Sequence, residues 1–161
     1  MSEPDRAAIL HRLLKLNNRL MAPFSTHLEH RHKISINEFR LLMTIGRLGS
    51  SASHELAALT GVNAMSVSRA VTALEKHGRV QLEVDPTNRR RKTITLTPEG
   101  QRLYAAMLPT TERVVEYLFA ALTPEQIAAF DATVATLTAA LEAQDANGRS
   151  LFLESTRPDS G

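Results

Sequence analysis

Ser66, Ser68, Arg69 and Thr72 lie in a stretch whose apolar residues Val67, Ala70, Val71 and Leu74 recur at helical spacing. If the apolar set packs inward, the outer face carries short donors around one long cation. That arrangement suits close approach to base edges in a DNA groove better than plain solvation. Asn63, which leads into the helix, is counted with this face. A second set follows in Arg89, Arg90, Arg91 and Lys92, consecutive cations that repel one another unless a polyanion lies nearby. A phosphate backbone or a narrow, electronegative minor groove supplies one. Taken alone, the run also reads as a solvated basic turn.

The flanking residues describe how these side chains would be positioned. S-H-E-L-A-A-L-T starts on Ser53, a serine suited to an N-cap, and closes at Thr60-Gly61, where glycine can take the positive φ of a helix end. A sharp turn then leads into the second helix, which stops at His77-Gly78. Val80, Leu82 and Val84, and then Ile94 and Leu96, alternate with polar residues and predict two strands. The turn opener Asp85-Pro86 joins them, so the cations project as a wing. The expected unit is a helix-turn-helix followed by a hairpin.

Around it, residues 5–28 predict one long helix with a wide apolar stripe, Ile9, Leu10, Leu13, Leu14, Leu16, Leu20, Met21 and Phe24, that must be covered. A short helix over about 37–48, capped by Ser35 or Asn37, supplies Phe39, Leu41, Leu42, Met43 and Ile45 to the core, and Gly49-Ser50-Ser51 ends it. Thr97-Pro98-Glu99 opens a helix to about residue 122, which Pro109 should bend. Thr123-Pro124-Glu125-Gln126 opens another to about residue 143. This last helix carries a seam, Ile127, Phe130, Val134, Leu137 and Leu141, that seeks another helix in the same chain or in a second copy. Residues after Asp145 predict a frayed tail, docked if at all by 151–153.

The stretch M-S-V-S-R-A-V-T-A-L-E-K-H-G-R-V at 65–80, the wing D-P-T-N-R-R-R-K at 85–92 and T-I-T-L-T-P-E-G at 93–100 resemble the MarR (multiple antibiotic resistance regulator) family of winged-helix transcription regulators. Family wings usually read D-P-x-D-R-R. Here Asn88 stands where an aspartate that anchors the wing arginines is common, with Arg89 and Arg90 in the paired-arginine positions. The resemblance implies a mainly α fold with a small β-wing, a winged helix-turn-helix core flanked by N- and C-terminal dimerisation helices. The organisation expected is a dimerisation helix over 1–32, the DNA-binding region over 33–97, C-terminal dimerisation helices over 98–144 and a flexible tail over 145–161. It implies a homodimer whose two recognition helices lie about one DNA turn apart, on a pseudo-palindromic double-stranded operator of roughly 16 to 20 base pairs.

MarR-like regulators, most often repressors, are typically released from DNA by small phenolic or aromatic anions held between the dimerisation helices and the winged-helix core. His11, Arg19, His27, His30 and Arg40 could bind the anion, with Met21, Phe24 and Met43 as apolar walls. Each is also read as a solvated, paired or core side chain. His27, His30 and His32 raise a zinc-responsive alternative, although a structural zinc site needs four ligands and cysteine is absent. An exposed helix end whose His and Arg side chains favour the macrodipole is the simpler account. No metal or other cofactor is expected.

Composition bounds the rest. At 161 residues the chain is expected to form one small, largely helical regulator. No apolar run approaches the roughly 18 residues of a membrane span, and M-S-E-P-D-R is acidic where a signal peptide is basic, so a cytoplasmic location is expected. Zero cysteines exclude a thiol-oxidation switch. Net charge is only +2, but residues 63–102 hold eight Arg or Lys against four Asp or Glu, while residues 103–161 hold three against eight. The positive field is therefore local to the helix-turn-helix and wing. No nucleophile elbow, phosphate loop or H-E-x-x-H is present, so an enzyme is not expected. A winged-helix module that binds protein instead of DNA is the remaining alternative.

Overall fold

The computed structural model describes residues 5–84, 86–88 and 92–158. The Asp5 carboxylate accepts the Ala8 N–H at 3.1 Å and starts α1 (Arg6–Leu20). The apolar pattern predicts that this helix continues to residue 28; instead the α-helix ends at Leu20 and the chain turns at Met21. Pro23 accounts for the break, because it has no N–H to give the Arg19 carbonyl. The backbone resumes as a wider π-helical turn, Phe24–Glu29, and then α2 (His30–His32). Lys33 closes it in the left-handed region with φ 48°, and the Ile34 N–H reaches back to the Glu29 carbonyl at 3.2 Å.

Helix α3 (Ile36–Leu48) opens on a reciprocal cap: Ser35 Oγ accepts the Glu38 N–H at 3.3 Å and Glu38 Oε2 accepts the Ser35 N–H at 2.9 Å. Gly49, at φ 85°, ends it. Ser50 and Ser51 do more than terminate the helix, for they form a short strand, β1 (Ser50–Ser51). Helix α4 (Ser53–Thr60) begins one residue earlier than Ser53 suggested, with Ala52 as N-cap and Ser53 already helical. Ala52 has no side-chain acceptor. What is satisfied is its N–H, taken by Glu55 Oε2 at 2.7 Å, an oxygen that also accepts Ser51 Oγ–H at 3.1 Å. Gly61, at φ 67°, closes α4 as expected.

Helix α5 (Ala64–Lys76) follows, and its Val67, Ala70, Val71 and Leu74 are buried. It ends in a Schellman turn: Gly78 sits at φ 65° and the Arg79 N–H returns to the Leu74 carbonyl at 2.8 Å. Strands β2 (Val80–Val84) and β3 (Lys92–Leu96) pair antiparallel from Val80 opposite Leu96 to Val84 opposite Lys92. The predicted hairpin is thus one edge of a three-stranded sheet of order β1-β3-β2, with Ser50 opposite Thr95 and Ser51 opposite Ile94.

Leu41, Leu42 and Ile45 of α3 meet Leu56, Val67, Leu74, Val80 and Ile94 in one core, joined by Phe24 and Leu28. Helix α6 (Pro98–Phe119) adds Leu103 and Met107 to that core. Thr97 holds its first turn, donating its hydroxyl to the Gly78 carbonyl at 2.6 Å and accepting the Gly100 N–H at 3.1 Å. The helix continues through Pro109 and ends at Phe119, short of residue 122.

Contacts divide the chain into two compact units, Met1–Val115 and Glu116–Gly161. The second contains α7 (Pro124–Glu142), opened by a reciprocal cap between Thr123 and Gln126 with Pro124 in its first turn. Where a frayed tail is expected, residues 145–156 form a turn and a short helix. Asp145 Oδ1 accepts the N–H groups of Asn147 and Arg149 at 2.8 and 2.9 Å, Oδ2 pairs with Arg149 Nε at 2.9 Å, and α8 (Leu151–Ser155) follows. Nor do Leu151, Phe152 and Leu153 dock by burial; all three are exposed. Among the described residues no helix is long and apolar enough to cross a membrane.

Candidate nucleic-acid interface

Helix α5 is amphipathic in the sense its pattern requires: one side closes the core and the other is solvent-facing. Ser68, Arg69 and Thr72 lie on the open side and Ser66 is half-buried at its margin. Arg69 has no ion-pair partner among the described residues, so its guanidinium retains its full set of donors. Thr72 is more constrained, since its hydroxyl donates to the Ser68 carbonyl at 2.9 Å.

Asn63 has a structural duty that the sequence reading passed over. It is the N-cap of α5, accepting the Ser66 N–H on Oδ1 at 2.9 Å, which leaves its amide N–H groups as donors. Met65, 66 % exposed, shares the outer face; helical spacing from Ser68, Arg69 and Thr72 could have found it. Beside the helix, Ser35 and Asn37 at the start of α3 and Ser66, Arg69, Ala70 and Ala73 of α5 line one shallow cleft.

Lys92 begins β3, exposed, opposite Val84. Pro86, Thr87 and Asn88 are exposed in the connection between β2 and β3. Arg89, Arg90 and Arg91, together with the turn opener Asp85, lie outside the described residues.

The residues expected around an effector divide by burial. Phe24 is a core residue whose ring centroid lies 4.9 Å from that of Phe39, with Met21 and Met43 packed partly buried against the same core. His11, Arg19, His27 and His30 are exposed. Arg40 is half-buried, and its guanidinium donates to Asn37 Oδ1 at 3.4 Å. Among the described residues no three of His, Asp and Glu come together to hold a metal ion, which removes geometric support from a zinc site at His27, His30 and His32. Burial, then the nearby Arg31 and Arg79 charges, hold the His32 imidazole below its ordinary pKa of 6.5.

Residues 34–92, the segment from the end of α2 to the first residue of β3, match the MarR family model. Over this segment the chain is similar to the MarR family. A curated relative, the uncharacterized HTH-type transcriptional regulator YdcH of Bacillus subtilis (strain 168), is 34 % identical over 67 residues, 42 % of this chain and 46 % of that protein. The chain thus spans less than half the length of that relative.

Solved MarR-type structures share the fold over more of the chain. BpsR of Bordetella bronchiseptica, whose DNA binding is regulated by 6-hydroxynicotinic acid, has a TM-score of 0.69 at 22 % identity, covering 81 % of this chain and 98 % of that one. NadR in complex with 4-hydroxyphenylacetate has a TM-score of 0.72 at 22 % identity, covering 86 % and 97 %. A MarR-family regulator of Listeria monocytogenes complexed with a 26mer DNA has a TM-score of 0.72 at 18 % identity, covering 85 % and 87 %. The curated relative and the Listeria monocytogenes neighbour are both named as transcriptional regulators.

Proposed function

We propose that this chain is a MarR-like regulator that represses transcription by binding a pseudo-palindromic operator as a homodimer, and that a small aromatic or phenolic carboxylate releases it. The observation that carries the reading is the open face of α5, where Ser68, Arg69 and Thr72 are exposed while the opposite face is locked into the core. Asn63, Ser66, Ser68, Arg69 and Thr72 meet the major groove; Arg89, Arg90, Arg91 and Lys92 serve the minor groove and phosphates. Dimerisation is supported by the apolar residues α1 and α7 leave exposed. The effector reading draws on the ligands of BpsR and NadR and on the cations Arg19 and Arg40 and the histidines His11, His27 and His30, with Met21, Phe24 and Met43 as apolar lining. The protein acts in the cytoplasm.

The test is binding to the DNA flanking its own gene at two salt concentrations. Binding that weakens steeply with salt supports phosphate contact. Arg69→Ala should cost roughly 1 to 3 kcal/mol and relax sequence discrimination, whereas Arg90→Ala should weaken binding to all sequences alike. Negligible effects from both would overturn the docking assignment, and no binding even at low salt would favour the protein-interaction module. Adding 6-hydroxynicotinate or 4-hydroxyphenylacetate to the same assay tests the effector class.

A further inference from the structure

We propose that Arg79 is a positioning residue that sets the angle of the recognition helix α5 against the N-terminal segment. It contacts no DNA in this assignment, and the functional half of the proposal rests on the regulator reading above. Its backbone belongs to the end of α5. The Arg79 N–H completes the Schellman turn on the Leu74 carbonyl at 2.8 Å, and its own carbonyl accepts the Thr97 N–H at 3.1 Å ahead of α6. Gly100 packs so closely on that carbonyl that a Cβ there would collide with it. The main chain at Arg79 therefore cannot shift without moving the ends of two helices.

The side chain reaches elsewhere. Its guanidinium donates to the His32 carbonyl at 2.7 Å and to the Lys33 carbonyl at 3.2 Å, across 47 and 46 residues of sequence. Those carbonyls belong to the C-terminal turn of the N-terminal segment, where Lys33 is the one non-glycine residue at positive φ among the described residues. Helix-end carbonyls lack intrahelical donors, and a cation there also meets the negative end of the dipole. Arg79 supplies both.

A buried carboxylate fixes the fork. Among the described residues Glu38 Oε1 has no hydrogen-bond partner; the Arg79 guanidinium lies beside it with Nη1 at 3.8 Å, and the His77 ring with Nδ1 at 3.9 Å. Its other oxygen is committed to the cap of α3. With the Arg79 side chain only 12 % exposed, water cannot readily replace these contacts. One guanidinium thus ties the end of the N-terminal segment and the start of α3 to the end of the helix that carries Arg69.

The chain lacks cysteine, so paired spin labels can be placed without background. Labels at Thr26→Cys and Glu75→Cys, both exposed, report the separation of the π-helical turn and α5. The labelled full chain is diluted with unlabelled protein so that one chain is read at a time. In the wild-type background one narrow distance distribution is expected. Arg79→Met, which keeps bulk and removes the donors, should broaden or shift it, and Arg79→Lys should restore it in part. On DNA, Arg79→Met should reduce the preference for operator over unrelated sequence about tenfold while leaving the salt dependence of non-specific binding unchanged. Circular dichroism at low temperature establishes that each variant is folded; if Arg79→Met is not, Arg79→Gln takes its place.

An unaltered distance distribution would overturn the proposal. So would a broadened one with wild-type operator preference, since the tie would then serve stability alone. If the wild-type chain prefers no DNA sequence, the regulator reading fails on that arm, while the distance arm still decides whether Arg79 sets the angle.

Discussion

His32 is half-buried where the N-terminal segment ends, and burial first, then Arg31 and Arg79, keep its pKa below 6.5. The folded chain therefore takes up this proton less readily than the unfolded chain. The stability contributed by neutral His32 is complete above the unfolded value and is lost as pH falls through 6.5 toward the lower folded pKa. Thermal unfolding midpoints followed from about pH 7.5 to about pH 5.5 should drop more steeply for the wild type than for His32→Gln. Equal slopes would mean that His32 is no more penalised in the fold than in the open chain. This environment was hidden in the sequence because Arg79 acts on backbone carbonyls far away in the chain, and carbonyls have no residue-type signature. The outer face of α5 was legible for the opposite reason: Val67, Ala70, Val71 and Leu74 define the inner face, and periodicity alone then assigns Ser68, Arg69 and Thr72 to the outside.

At the scale of elements, the ends of α5 and α6 are built as one joint. Thr97 bridges the Gly78 carbonyl and the Gly100 N–H, and Gly100 touches the Arg79 backbone with no room for a side chain. Gly100→Ala should destabilise the fold by about 1 to 3 kcal/mol or more, because backbone rather than a flexible side-chain tip must give way. Thr97→Val, which keeps the shape and removes the hydroxyl, should cost about 1 kcal/mol through the lost cap. Urea unfolding of both variants checks the order; a larger loss for Thr97→Val would mean that the close approach at Gly100 relaxes cheaply. Capping residues made these helices readable, as at Ser35 with Glu38 and Thr123 with Gln126. Elements fixed by other partners were not. β1 is a pair of serines recruited by the exposed edge of β3, and neither residue has the β-branched or aromatic character that marks a strand. The break at Met21 followed from Pro23, whose missing N–H outweighs an apolar stripe that continues past it. The tail folds because Asp145 gathers the N–H groups of the turn that follows it, a local acceptor within what looked like a run of turn formers.

For the molecule as a whole, the decisive question is what covers α1 and α7. Neither helix has a buried residue among those described, yet Ile9, Leu10, Leu13 and Leu14 of α1 and Phe130, Val134, Leu137 and Leu141 of α7 are exposed by 41 to 54 %. Isolated exposed leucines are ordinary, but two helix-long seams of them on a small chain support the dimer interface proposed above. In the proposed reading a second copy is the occupant, because two recognition helices are needed to read two half-sites. Val134→Glu combined with Leu137→Glu puts two carboxylates into the α7 seam, where each would have to be desolvated for the copies to meet. The variant should sediment as a monomer at micromolar concentration while the wild type sediments as a dimer. Its winged-helix core should still fold, since no α7 residue belongs to that core. Affinity for a full operator should fall by about 100-fold or more, whereas affinity for an isolated half-site should be nearly unchanged, because what is lost is the second contact made at high effective concentration. A variant that remains a dimer would place the interface elsewhere. One that becomes a monomer yet binds the full operator as tightly as the wild type would remove the two-fold symmetric reading of DNA.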